Sequence, residues 1–169
     1  DLDRSAPVKD LIESQGVPHT EVGLIVSRGA ERSFLYTPAG GEIVDVFPHT
    51  PPVDVSLPSV LFPVPFGEAS FVVDVNVARL AGLLRLTGFD CLYDPRLDDA
   101  MIAEVAGGER RILLTRDREL LKRNRVLRGR LIRSDRPWEQ LAEVIRFFGL
   151  RDRIDLFCRC PRCNVPLVN

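Results

Sequence analysis

Three aspartates stand at or near the ends of apolar runs. Asp74 lies in Phe71-Val72-Val73-Asp74-Val75, Asp99 follows Asp98 where an amphipathic stretch opens, and Asp117 closes Leu113-Leu114-Thr115-Arg116-Asp117. A carboxylate flanked by valines is costly to take out of water unless something offsets its charge, so Asp74 calls for a chemical explanation first. Carboxylates are hard oxygen ligands, and a cluster of them suits Mg²⁺ or Mn²⁺. Asp98, Asp99 and Asp117 also have a plain structural reading, because Asp is favoured at helix N-caps and in first turns. Asp74, read as a mid-strand residue, caps nothing. Other chemistries have less to work with. The only histidines, His19 and His49, precede the apolar runs, so no Ser-His-Asp or Cys-His pair can be composed among them. Neither a G-x-x-x-x-G-K-[ST] nor a G-x-G-x-x-G loop occurs. An aspartyl-phosphate phosphatase would carry a second Asp two residues after the first, and Asn76 stands there instead.

Cys91, inside Phe89-Asp90-Cys91-Leu92-Tyr93, reads as a small buried apolar residue, whereas Cys158, Cys160 and Cys163 form a C-x-C-x-x-C run that invites a metal. The formal net charge of −1 over 169 residues argues against a nucleic-acid partner, but the distribution reverses that inference. Residues 1–47 hold eight acids and four bases, residues 71–109 seven acids and three bases, and residues 110–136 eleven bases against three acids. A basic lobe beside an acidic, metal-type site suits a phosphodiester: arginines hold backbone phosphates while a bound cation activates water. Within and near the lobe, Arg116, Arg118, Lys122, Arg123 and Arg125 are candidate nucleic-acid contacts. Arg79, Arg85 and Arg116 are candidates for closer phosphate contacts or for ion pairs with the acids. The plainer account is a solvated surface, since Arg supplies 21 of the 23 basic residues throughout the chain.

Four segments would position these groups. In residues 1–48, Val8, Leu11 and Ile12 share a helical face, and β-type runs follow at 22–27, 33–36 and 42–47. Six prolines between Pro48 and Pro65 make 49–70 a semi-rigid linker. Residues 71–155 alternate apolar runs (71–75, 89–93, 111–115, 130–133) with amphipathic stretches (77–84, 99–106, 119–123, 137–148), the pattern of a doubly wound parallel α/β sheet. In such sheets ligands bind beyond the carboxyl ends of the strands, where these acids fall. Residues 156–169 hold the cysteine run. No apolar run reaches the roughly 18 residues of a membrane span, and the start Asp1-Leu2-Asp3 has neither initiator Met nor leader character. The expectation is a cytoplasmic protein without membrane contact, cut from a longer chain.

The series Phe71-Val72-Val73-Asp74, Arg79-Leu80-Ala81, Leu84-Arg85, Gly88-Phe89-Asp90, Asp99 with Ile102 and Ala106, Ile112 to Arg118, Gln140-Leu141 and Arg159-Cys160-Pro161-Arg162-Cys163-Asn164 resembles the PIN-like ribonuclease domain of the Mut-seven C-terminal type. The stretches from Val8 to Ser14 and from Gly41 to Pro48 resemble the ubiquitin-like β-grasp domain often fused ahead of it, here without its first hairpin. The resemblance implies an endoribonuclease in which Asp74, Asp99 and Asp117 hold Mg²⁺ or Mn²⁺, with Asp98 and Asp135 as supporting acids. It also implies a zinc-ribbon-like end, in which Cys160, Cys163 and Cys158 would make an incomplete Zn²⁺ site. Implied partners are RNA, ribosomal or transfer RNA included, and a protein docked on the β-grasp module. Two other readings stand beside this one: a non-catalytic RNA- or ribosome-binding adaptor, and a toxin-like nuclease silenced by a cognate inhibitor.

Overall fold

A computed structural model describes residues 6–167. Among the described residues, seven strands form two sheets, accompanied by five α-helices and three 3₁₀ turns. The amino-terminal part opens with helix α1 (Val8–Ser14), whose Val8 and Ile12 are buried, followed by strands β1 (Val22–Ser27), β2 (Ala30–Glu31) and β3 (Asp45–Pro48). These strands form an antiparallel sheet of order β2-β1-β3. Arg28 and Gly29, both at positive φ, make the two-residue turn between β1 and β2, the backbone geometry that matches strand twist in tight hairpins. The segment 33–36, expected to be a strand, is a turn. Its Phe34 and Tyr36 carbonyls instead accept the Lys9 and Val8 amides, capping the opening turn of α1, whose first amides have no partner within the helix.

The second part is three-layered. Strands β4 (Phe71–Val73), β5 (Cys91–Leu92), β6 (Ile112–Thr115) and β7 (Gly129–Leu131) form an all-parallel sheet of order β5-β4-β6-β7. Side chains alternate across it, as a pleated strand requires. Phe71, Val73, Ile112 and Leu114 pack on one face with Leu80, Leu84, Leu141 and Val144, from helices α2 (Ala78–Leu86) and α5 (Pro137–Phe147). Val72 and Leu113 pack on the other with Ile102, Ala106, Leu120 and Leu121, from helices α3 (Asp99–Gly108) and α4 (Arg118–Leu121). Both sheet faces are covered, which is why these strands read as nearly continuous apolar runs.

The proline-rich stretch does not behave as the linker its composition suggested. Val55, Phe66 and Ala69 are buried in the core beneath the α2/α5 face, and Leu61 and Phe62 in the core under α1 and β1. The Val53 amide donates to the Phe147 carbonyl and the Phe66 amide to that of Val55. Prolines remove donors but leave apolar side chains free to pack, so the stretch is a strap joining the two cores. The Cys-rich end is also docked. Arg159 and Pro166 form an antiparallel bridge, and the Cys160 amide donates to the Val165 carbonyl. Gly88, at φ +98°, lies so close that a Cβ there would sit 2.6 Å from the Asp155 carbonyl oxygen.

Candidate active site

Strand order β5-β4-β6-β7 means that the chain leaves β4 toward one side and returns to its other side with β6. The crevice at this reversal lies beyond the carboxyl ends of β4 and β6. Asp74 and Asp117 follow those two strands. Asp74 is only 5% exposed and lies one residue past the strand, at the start of the 3₁₀ turn Val75–Val77. It is not the mid-strand residue that was expected, and it does cap: Val75 N donates to its Oδ1 at 2.5 Å. Its Oδ2 accepts from Asn76 Nδ2 and, at 2.7 Å, from the hydroxyl of Thr115. All three donors are neutral, and no Lys or Arg pairs with Asp74 among the described residues. Both oxygens of the buried Asp74 side chain are thus satisfied by hydrogen bonds rather than by a counter-ion.

Thr115 ties the two acids together. Its hydroxyl donates to Asp74 and accepts from the Asp117 amide at 2.9 Å. Asn76 completes the net, with Nδ2 3.2 Å from Thr115 Oγ1 and Oδ1 accepting from the Arg116 amide at 3.0 Å. Asp117 Oδ1 caps α4, accepting from the amides of Glu119 at 2.7 Å and Leu120 at 3.3 Å. Capping and a second use are compatible here, because Asp117 Oδ2 meets no donor among the described residues. Sequence reasoning passed over Thr115 and treated Asn76 only as a failed second aspartate. The available signal was the Asp-x-Asn spacing beyond a strand end, which lets the amide fold back onto the carboxylate.

The other expected acids are placed differently. Asp98 caps α3 through the Met101 amide at 2.8 Å, and Asp99, exposed, faces Arg123 at 3.8 Å. Asp135, largely exposed, pairs with Arg116. Convergence of the carboxylates into one ligand cluster was expected, yet among the described residues no group of three or more His, Cys, Asp or Glu side chains could hold a metal ion. Asp74 and Asp117 are the two brought to one crevice. Their chemistry fits Mg²⁺, which binds through one or two carboxylates and completes its shell with water and substrate phosphate. The cysteines do not make up a tetrahedral set. Backbone amides of Cys163 and Arg162 hold the Cys160 thiol below its ordinary pKa, while Cys158 Sγ turns to the Gly88 carbonyl at 3.9 Å.

The basic lobe is largely paired. Lys122 with Glu119, Arg125 with Glu104, Arg133 with Glu21, and Arg136 with Glu139 join the two pairs above. Such surface pairs are weak and screened, so their arginines can still exchange partners for phosphate. Arg79, Arg116, Arg118, Arg123 and Arg125 are exposed. Arg85, expected among the RNA contacts, is 6% exposed and donates to the carbonyls of Cys91, Pro161 and Arg162. It braces the Cys-rich end against β5.

Residues 69–169 match the family model described as Mut7-C RNAse domain, and residues 1–54 match the one described as Mut7-C ubiquitin. The chain belongs to the Mut7-C RNAse domain family, with a Mut7-C ubiquitin segment ahead of it. No curated protein and no solved structure matches the chain. Among the described residues no helix is long and apolar enough to cross a membrane.

Proposed function

We propose that the protein is a PIN-like, metal-dependent endoribonuclease whose centre is the crevice between β4 and β6. The observation that carries this reading is the Asp74–Thr115–Asp117 linkage: two carboxylates fixed at a switch point, one buried without a basic partner. Asp74 and Asp117 would hold Mg²⁺ or Mn²⁺, with water and substrate phosphate completing the shell. The ion would supply Lewis-acid polarisation of the phosphodiester and a water of lowered pKa.

The chain's own residues do the rest. Thr115 and Asn76 fix the Asp74 carboxylate and so its acceptor direction, and capping of α4 fixes Asp117. Arg116, Arg118 and Arg123, exposed around the same end of the sheet, offer cations to RNA phosphates and orient the backbone over the acids. Trp138, at the amino end of α5 and 66% exposed, offers a ring face to an unpaired base.

The test is cleavage of single-stranded and structured RNA with Mg²⁺ or Mn²⁺, comparing wild type with Asp74→Asn and Asp117→Asn. Each substitution is expected to lower the rate by about 100-fold or more while leaving RNA binding in place. Cleavage unchanged in both variants, or absent from the wild type with every RNA, would sink the reading. Salt-sensitive RNA binding without cleavage would point instead to an adaptor.

A further inference from the structure

The parallel sheet, the strap and the amino-terminal module meet around a cavity of about 270 Å³, near the lower end of ordinary small-ligand sites. Phe34, Leu61, Phe62, Phe66 and Val126 give it apolar walls. Arg128 also lines it, only 6% exposed and placed at the amino end of β7, the opposite end of the sheet from Asp74 and Asp117. Its carbonyl accepts the Leu113 amide, so the side chain leaves from a fixed backbone.

Among the described residues Arg128 has no counter-ion. Its guanidinium carbon lies 4.0 Å from the Phe62 ring centroid and 6.0 Å from that of Phe66, and its Nε meets no hydrogen-bond partner. No carboxylate pairs with it among the described residues, and burial holds its pKa down to about 10. Contrast Arg130, two residues on, whose buried guanidinium takes both Glu21 and Glu143. A ring face offsets part of the cost of burying a cation but uses none of the guanidinium N–H donors, whose fork matches a carboxylate or phosphate. A second cation, Lys9, half-buried and bonded to Asn124 Oδ1, lines the same cavity.

We propose that this cavity binds a compact organic anion, a single carboxylate or phosphate on an aromatic or aliphatic body, with Arg128 as the anion ligand and the phenylalanines as the seat for the body. The site is independent of the nuclease reading. Because its walls come from the amino-terminal module, the strap and the parallel-sheet domain together, an occupant would clamp all three. Ligand binding to the native state alone raises its melting temperature.

The experiment is calorimetric titration and thermal unfolding of the full chain with benzoate, phenyl phosphate and nucleoside 5′-monophosphates. Inorganic phosphate serves as the control without a body. At least one organic anion is expected to bind one-to-one below about 1 mM, at least about tenfold tighter than inorganic phosphate, and to raise Tm. The first two probes against the nucleotides tell whether the anion is a simple aromatic acid or ester or an RNA-derived product. Arg128→Met keeps an apolar stem and removes the uncompensated charge. It is expected to lose about tenfold or more in affinity while the ligand-free protein melts no lower than wild type. Lys9→Glu at the cavity lining is expected to weaken binding several-fold, and it serves as the test should Arg128→Met not fold. The proposal is overturned if no organic anion binds below about 1 mM, if inorganic phosphate binds as well as they do, or if affinity survives both substitutions.

Discussion

Asp74 keeps a carboxylate at 5% exposure by means of three neutral donors, and the Thr115 hydroxyl among them also receives the Asp117 amide. One hydroxyl thereby sets the positions of both acids. Thr115→Val conserves shape but removes that donor and acceptor together, leaving Asp117 N without its acceptor and Asp74 Oδ2 with Asn76 alone. The expected cost is about 1–3 kcal/mol in chemical denaturation. On the proposed function, cleavage is expected to fall by about tenfold, the scale on which losing the orienting partner of a metal-holding side chain lowers activity. A Thr115→Ser variant, which keeps the hydroxyl, should restore most of the rate. Equal losses in Ser and Val would assign Thr115 to packing alone.

At the scale of elements, α2 and the Cys-rich end form one unit through Arg85. Its three carbonyl acceptors lie in β5 and in the turn between Cys160 and Cys163, and Asn164 adds a hydrogen bond to Asp90 at 2.8 Å and accepts the Cys91 amide. Arg85→Gln is expected to cost about 3 kcal/mol, as hydrogen bonds from a charged donor are lost in a buried site. It should leave the salt dependence of RNA binding unaltered. Arg123→Gln, at an exposed position just past α4, should do the reverse: little effect on stability and a salt slope smaller by about 1. Gel-shift or anisotropy titrations at several salt concentrations separate the two, and a reduced slope for Arg85→Gln would return it to the RNA surface. The 3₁₀ turn His19–Glu21 plays a comparable bracing role. Glu21 accepts from Arg130 Nη1 at 2.9 Å, Arg133 Nη2 at 2.9 Å and the Leu131 amide at 3.0 Å. Glu21→Ala strands the buried Arg130 with Glu143 alone and is expected to cost about 3–5 kcal/mol.

For the molecule as a whole, these contacts make the amino-terminal module and the parallel-sheet domain a continuous packed body. His49 sits where they meet, its ring stacked on Phe62 and edge-on to Phe147, with Nε2 3.1 Å from the Thr20 carbonyl oxygen. Burial lowers its pKa; the Thr20 carbonyl and Glu21 act the other way, and Arg128 and Arg130 push it down further. A histidine whose folded pKa lies below the unfolded value of 6.5 contributes stability that is complete above pH 6.5 and is lost as the pH falls toward the folded pKa, because the unfolded chain takes the proton first. Denaturation measured from pH 7.5 to 5 should therefore show a shallower acid decline in His49→Gln than in wild type. Parallel declines would mean that His49 titrates normally in the folded protein.

The ubiquitin-like segment ahead of the ribonuclease-type domain, the strand and helix alternation, the acid beyond β6 and the helix starts at Asp98, Asp117 and Pro137 were legible in the sequence, whereas Asp74 was read as lying inside its strand. The alternation and the helix starts rest on local periodicity and capping chemistry, which short stretches of chain carry by themselves. Three features were decided only in three dimensions. Segment 33–36 became a turn because α1, distant in sequence, needed its carbonyls. The proline-rich stretch became a strap because its apolar side chains fill gaps in two cores that composition cannot reveal. Eleven bases in one stretch of sequence divide into exposed arginines, ion-paired surface residues and the buried Arg128 and Arg130, one without an anion and one with two. Charge is additive along a chain, but burial and partnership depend on which elements fold against one another. Strand order, and with it the pairing of Asp74 with Asp117 across the crevice, is a long-range choice of that kind.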